Sequence, residues 1–316
     1  MKKLIAALLL LFVSGLALAQ YPTKPIRLVV GFPPGGSSDA VSRILAQALS
    51  QSLGQAVVVE NKPGADGAIG AEAVMKSAPD GYTLMYGTAS AMTGAPALRK
   101  VPPYDPVADF TPISLVGSAS NFLFVHPSIA AKTLSEMIGY ARANPDKLNF
   151  GGPNPQAFLL TSQIMKQAGI RMVHVPYKGE GPNLLDLVAG RVQVGFISVT
   201  SALTFVKDGR LRVVAVALDQ RAPLAPDVPT LAEAGMPNVK VQHFGGVYGP
   251  AKMPREIVER LSRETNSLLN LPDVRDQLQR QGYLIKGSSP EGLAAITKEN
   301  LAQWKAAIRE SGMELQ

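Results

Sequence analysis

VVGFPPGGSSDAVSRILAQAL, residues 29–49, runs from the end of an apolar segment through two prolines and two glycines into a helical pattern. The apolar run opens at Ile26, and Pro33, Pro34, Gly35 and Gly36 break it. Beyond the break Val41, Ile44, Leu45, Ala48 and Leu49 fall at i, i+3, i+4, i+7 and i+8, one buried helix stripe, until Gly54 stops it. The same alternation continues outward. AVVVENK (56–62) and YTLMYGT (82–88) read as strands, with helices near 38–53 and 67–77. Strands alternating with helices predict an α/β sheet of parallel strands.

A second series begins after DFTPISLVGSAS (109–120). Its strands are NFLFVHP (121–127), LNFGG (148–152), RMVHVPY (171–177), VQVGFIS (192–198) and LRVVAVAL (211–218), with helices near 133–143, 156–168, 180–189 and 199–207. These elements suffice for a lobe of their own. Pro223, Pro226, Pro229 and Pro237 then interrupt QRAPLAPDVPTLAEAGMPN (220–238), which reads as a surface excursion. From GGVYGPAKMP (245–254) onward the chain reads as mostly helical.

The first twenty residues, MKKLIAALLLLFVSGLALAQ, carry Lys2 and Lys3, an apolar run and Ala17-Leu18-Ala19, the pattern of a secretory signal peptide cleaved after Ala19. The apolar run is shorter than the ~20 residues a bilayer span needs. There is no cysteine, which excludes a lipid-modified cysteine and a disulfide framework. The expectation is a free periplasmic protein of a Gram-negative cell. Residues 20–316 are long enough for two lobes, each with its own core. The formal charge is +7, of which Lys2 and Lys3 supply two, and no basic run exceeds Arg99-Lys100. Aromatics make up only 6% of the chain, so with such dispersed charge no nucleic-acid partner is expected.

The opening turn has two readings. Free amides at the helix start, with glycines that let a ligand approach, suit a carboxylate or phosphate. Alternatively Ser37 caps the helix and Asp39 complements its dipole. The stretch VVVENKPGADGAIGAEAVM (57–75) has Gly64, Gly67 and Gly70 spaced G-x-x-G-x-x-G, whereas a dinucleotide fingerprint needs G-x-G-x-x-G, so no cofactor is expected there. His126, His174 and His243 are widely separated in apolar contexts, and neither H-E-x-x-H nor G-x-S-x-G occurs, so neither a metal nor a catalytic residue is assigned. YGTASAMTG (86–94), NFGGPNPQAFLLTSQ (149–163) and VHVPYKGEGPNLLDLVAG (173–190), the last with Tyr177 and Lys178, repeat the strand-to-helix turn. In open α/β sheets such turns are where ligands sit.

Taken in order, YPTKPIRLVVGFPPGGSSD, VVVENKPGADGAIGAE, PDGYTLMYGT, DFTPISLVG, VPYKGEGPNLLDLVAGRVQVGF, DGRLRVVAV, APDVPTLAEAG, GPAKMP and Trp304 resemble the solute-binding proteins of tripartite tricarboxylate transporters, the Bug receptor family. The resemblance implies a type II periplasmic-binding-protein fold. Two α/β lobes are joined by two crossovers, near Gly117–Asn121 and Phe244–Gly246. Lobe 1 is then 20–118 with 246–316, and lobe 2 is 119–245. It implies an organic carboxylate handed to a small and a large membrane subunit, by a monomer. Carried over by position, ligand contacts come from Phe32, Gly36, Ser37, Ser38, Thr88 and Ser90 of the first lobe and Asn154, Tyr177 and Ser198 of the second. Asp39 is expected to brace the turn and cap the helix.

Two departures stand out. A glycine-rich turn ahead of a His-bearing helix is common in the family, and here the chain reads GGPNPQAFLL, with Pro153, Pro155 and Leu159. Each proline removes a donor. The family also often has Asp where this chain has Ile197, which removes a partner for a ligand ammonium. With Phe158 and Leu159 nearby, this favours a non-amino carboxylate, aromatic acids included. Two other classes stay open: a ligand-dependent partner of a membrane sensor, and a periplasmic hydrolase using one of the three histidines.

Overall fold

A computed structural model describes residues 21–316 except Pro153, Lys178, Lys240 and Gln242, and describes only the backbone of Val199 and Ser201. The signal segment 1–19 and the readings placed on Pro153 and Lys178 lie outside the described residues.

The opening stretch forms β1 (Ile26–Val30) and α1 (Ser37–Leu53). β2 (Val57–Asn61), α2 (Ala68–Met75), β3 (Thr83–Thr88) and β4 (Phe110–Ala119) follow. The second series gives β5 (Asn121–Val125), α3 (Leu134–Ala143), β6 (Asn149–Gly152), α4 (Pro155–Ala168) and β7 (Val173–Pro176). It continues with α5 (Glu180–Val188), β8 (Val194–Ser198), α6 (Val199–Lys207) and β9 (Arg212–Val216). The chain ends in β10 (Phe244–Pro250), α7 (Arg255–Leu268), α8 (Pro272–Arg280), β11 (Tyr283–Ile285) and α9 (Pro290–Ser311).

Two sheets make two α/β lobes. One has strand order β11-β4-β10-β3-β1-β2, the other β7-β6-β8-β5-β9. The expected parallel pairing holds for β1 with β2 and β3, and for β6 with β7 and β8. It fails elsewhere: β10 is antiparallel to β3 and β4, β11 to β4, and β5 to β8 and β9. The reason is connectivity. β5 and β10 each enter their sheet at the crossing edge, so each runs against neighbours that end there.

β10 is the element the sequence hid. The end of the chain reads as mostly helical from residue 245, yet it opens with a strand whose seven residues are all buried. A side chain at Gly245 would collide with the Tyr86 hydroxyl, and one at Gly249 with the Met253 sulfur, so glycine lets the strand lie between bulky neighbours. The excursion also differs from expectation. Its prolines prevent a regular element, but Val228, Leu231 and Met236 are buried and Val216 bridges to Thr230. It is a partly buried cover on lobe 2.

Each sheet carries a core on both faces. In lobe 1 the predicted stripe of Val41, Leu45 and Leu49 packs with Val258, Leu261 and Leu278. Ala71, Val74, Met85 and Leu293 cover the opposite face. In lobe 2, Leu160 and Ile164 of α4 share a core with Trp304, Ala307 and Ile308 of α9. The C-terminal helix therefore starts on one lobe and finishes on the other. Phe122, Phe124, Leu187 and Ile197 fill the remaining face.

Candidate functional site

Strand direction determines which turns can share a ligand. Thr88, the last residue of β3, pairs with Gly245, and Phe244 pairs with Ser118. The carboxyl ends of β1 and β3 thus lie on the edge from which β4 leaves lobe 1. In lobe 2, Ser198 at the end of β8 pairs with Asn121, the first residue of β5, and the parallel strands β6 and β7 end on that same edge. Only Ser120 separates β4 from β5. The turns singled out in the sequence therefore line the two edges that adjoin the crossing, the usual ligand position in open α/β sheets.

In the first lobe, Gly35 has a φ of 86° and Gly36 is the N-cap of α1 in an extended conformation. Ser37 is therefore a first-turn residue and not the cap. With no side chain at Gly36 to receive them, the first amides of α1 point out unpaired by helix geometry. Ser37 is exposed and Ser38 partly so. Asp39 braces the turn as expected, but it does not cap. Its carboxylate accepts from the Gly35 amide at 3.0 Å, from Arg43 Nε at 2.9 Å and from Asn61 Nδ2 at 2.9 Å. Asn61 also donates to the Phe32 carbonyl at 3.0 Å, tying both ends of the turn to β2. The Arg43 hydrogen bond foremost, helped by the Gly35 amide and Asn61 against the effect of burial, holds the Asp39 carboxyl at about 2.

The G-x-x-G-x-x-G series proves to be packing. A Cβ at Gly70 would lie 2.9 Å from Gly31 Cα, and one at Gly67 would lie 2.8 Å from the Ala91 Cβ. These glycines let α2 and the next turn press against the end of β1, and the Phe32 ring lies over Gly67. Thr88 is buried, and its Oγ1 accepts from the Ala91 amide at 3.3 Å. Ser90 is partly buried and its hydroxyl donates to the Asp66 carbonyl at 3.5 Å.

In the second lobe Asn154 is the N-cap of α4, its Oδ1 accepting from the Ala157 amide at 2.9 Å. Pro155 takes the first helical position, where no intrahelical partner is lost. The Tyr177 hydroxyl turns away to Asp186 Oδ2 at 2.7 Å, and Arg191 braces the same carboxylate at 2.7 Å. Desolvation, reinforced by the Asp186 carboxylate, pushes the Tyr177 phenol up to about 12. The Ser198 amide donates to Glu180 Oε2 at 3.1 Å, and its hydroxyl pairs with Thr200 Oγ1 at 2.7 Å. Glu180 was not foreseen, because the contact links the turns after β7 and β8, which only the β7–β6 and β6–β8 pairings bring near each other.

Asn154 and Tyr177 also line a cavity of about 440 Å³ with Phe158 and His174, walled by Leu98 and Met313. The His174 ring stacks on Phe150 at 5.0 Å and meets Phe158 edge-on at 4.7 Å, and desolvation lowers its pKa. His126 Nδ1 pairs with Ser128 Oγ at 2.8 Å. His243 is partly exposed, but its Nδ1 is sealed with no partner among the described residues, and burial pushes its pKa down to about 4. The three histidines thus stand in three separate environments. Among the described residues there is no cluster suited to a metal, and no helix is long and apolar enough to cross a membrane.

Residues 41–313 match the sequence family described as "Tripartite tricarboxylate transporter family receptor". Protein BugT of Bordetella pertussis is 34% identical over 299 residues, 93% of this chain and 91% of BugT. Among solved structures, a Rhodopseudomonas palustris protein bound to adipate is similar with a TM-score of 0.79 and 31% identity, covering 92% of this chain and 98% of that one. MatC of the same organism, bound to malate, gives 0.74 and 30%, covering 91% and 100%.

Proposed function

This chain belongs to the receptor family of tripartite tricarboxylate transporters, and we propose that it captures a small organic carboxylate in the periplasm and delivers it to a membrane transporter. Delivery is to the small and large membrane subunits, and the receptor acts as a monomer without catalysis, after removal of residues 1–19. Adipate and malate in the solved relatives support the carboxylate class. The observation that carries the reading is the register. The turn edges of both sheets adjoin the crossing at Ser120, so one ligand can touch both.

In this reading lobe 1 is 20–118 with 246–316, the end of α9 reaching across to pack on lobe 2, and lobe 2 is 119–245. The amides of Gly36, Ser37 and Ser38 and the positive end of the α1 dipole balance one ligand carboxylate without an arginine. Phe32 shields that contact from water, and Thr88 and Ser90 shape its floor. Asn154, Tyr177 and Ser198 form the opposing face. A ligand that touches both lobes binds the closed form better than the open one and shifts the population toward it.

The test is a thermal-shift screen of di- and tricarboxylates, aromatic acids and amino acids. A true ligand at 100 times its Kd adds about 2.7 kcal/mol of stability. A screen in which only solutes without a carboxylate raise the melting temperature overturns the assignment.

A further inference from the structure

Glu180 brings a carboxylate to the edge of lobe 2 that faces the crossing. It begins α5, and its Oε2 receives the Ser198 amide at the end of β8. Ser198 pairs in register with Asn121, so this contact lies next to Ser120, where the chain passes between lobes. Glu180 is partly exposed there. Among the described residues it has no lysine or arginine partner, unlike Asp186 of the same helix, which Arg191 neutralises. An acid in a first helical turn also suits the helix dipole. That role alone does not require its oxygen to be turned onto the neighbouring strand.

A fixed acid at this point has two consequences. The Ser198 amide, one of the donors that lobe 2 offers at this edge, is already satisfied by an internal anion. A second carboxylate on the ligand would then have to displace Glu180 or lie against it, and like charges at close range repel. An ammonium or a neutral donor in the same place would be attracted.

We propose that Glu180 sets the ligand preference of lobe 2, so that the ligand carries one carboxylate for the α1 turn and a cationic or hydrogen-bond-donating group at its other end. The inference rests on the receptor reading above. Ile197 alone argued against a partner for an ammonium, but the fold supplies one at the next residue through Glu180.

Matched pairs of equal chain length isolate this effect: adipate against 6-aminohexanoate, and succinate against 4-aminobutyrate, titrated calorimetrically into the wild type and Glu180→Gln. The glutamine keeps an acceptor for the Ser198 amide while removing the charge. The wild type should bind at least one amino member at least ~10-fold tighter than its diacid, a difference of about 1.4 kcal/mol, and Glu180→Gln should erase or invert that ratio. Equal or tighter diacid binding by the wild type, or a ratio unchanged in the variant, overturns the inference. So does binding confined to other carboxylates such as citrate or benzoate, which leaves the receptor reading intact. No response to any carboxylate ends both.

Discussion

Asp39→Asn probes the brace beneath the opening turn. The side chain is buried and takes three donors, from Gly35, Arg43 and Asn61. Asparagine keeps the shape and one acceptor but removes the charge that Arg43 meets. Held at about 2 in the fold against ~3.9 in the unfolded chain, the carboxylate contributes at most about 2.6 kcal/mol at neutral pH. The Arg43 side chain is 56% exposed, so solvent screens part of this, and the expected loss in the variant is about 1–2 kcal/mol. Because the folded pKa is depressed, the contribution is complete above the unfolded value and is lost as pH falls through the folded one. By pH 3 it should shrink to about half. Urea denaturation of both proteins at pH 7 and pH 3 measures this. A variant as stable as the wild type at pH 7, or a difference that does not narrow at pH 3, would show that the Asp39 charge does not carry this stability.

Gly70→Ala should destabilise by about 1–3 kcal/mol in thermal denaturation, because its Cβ meets the backbone of Gly31 and not a side chain that can swing away. Gly139→Ala is the control: it lies in α3 with open space around it and should stabilise by roughly 0.5–1 kcal/mol through helix propensity. Tyr86→Phe removes the donor to the buried Tyr283 hydroxyl at 2.7 Å and should lower urea stability by about 1–2 kcal/mol. His243 is held neutral, with its pKa at about 4. Stability should therefore be complete above the usual histidine pKa of ~6.5 and decline as pH falls toward the folded value, a decline that His243→Gln should remove in a pH series of melts.

The lobes were legible because their signal is local. Val41, Leu45 and Leu49 announce a helix stripe by spacing alone, and the apolar runs at 26–30, 57–61 and 83–88 announce strands. β10 was not legible, because the partners that make glycine necessary at 245 and 249 are Tyr86, far away in sequence, and Met253, whose approach depends on the turn before α7. The antiparallel pairings were equally hidden, since hydropathy alternation carries no strand direction. Sequence position found the turns at Gly36, Asn154 and Tyr177 but not the direction of their side chains. The Tyr177 hydroxyl faces Asp186, and the Thr88 hydroxyl is occupied by a turn amide. Glu180 and Ser198 meet only because β7, β6 and β8 lie side by side.

If one carboxylate is held between the two turn edges, the crystal structure of the complex with the carboxylate giving the largest thermal shift will show it there. A carboxylate oxygen within hydrogen-bonding distance of the Ser37 or Ser38 amide, with the rest of the ligand reaching the Asn154, Tyr177 and Ser198 edge, is the predicted result. A ligand seated instead in the cavity of about 400 Å³ lined by Ser118, Lys286 and Gln303, with the α1 turn facing only water, would contradict it.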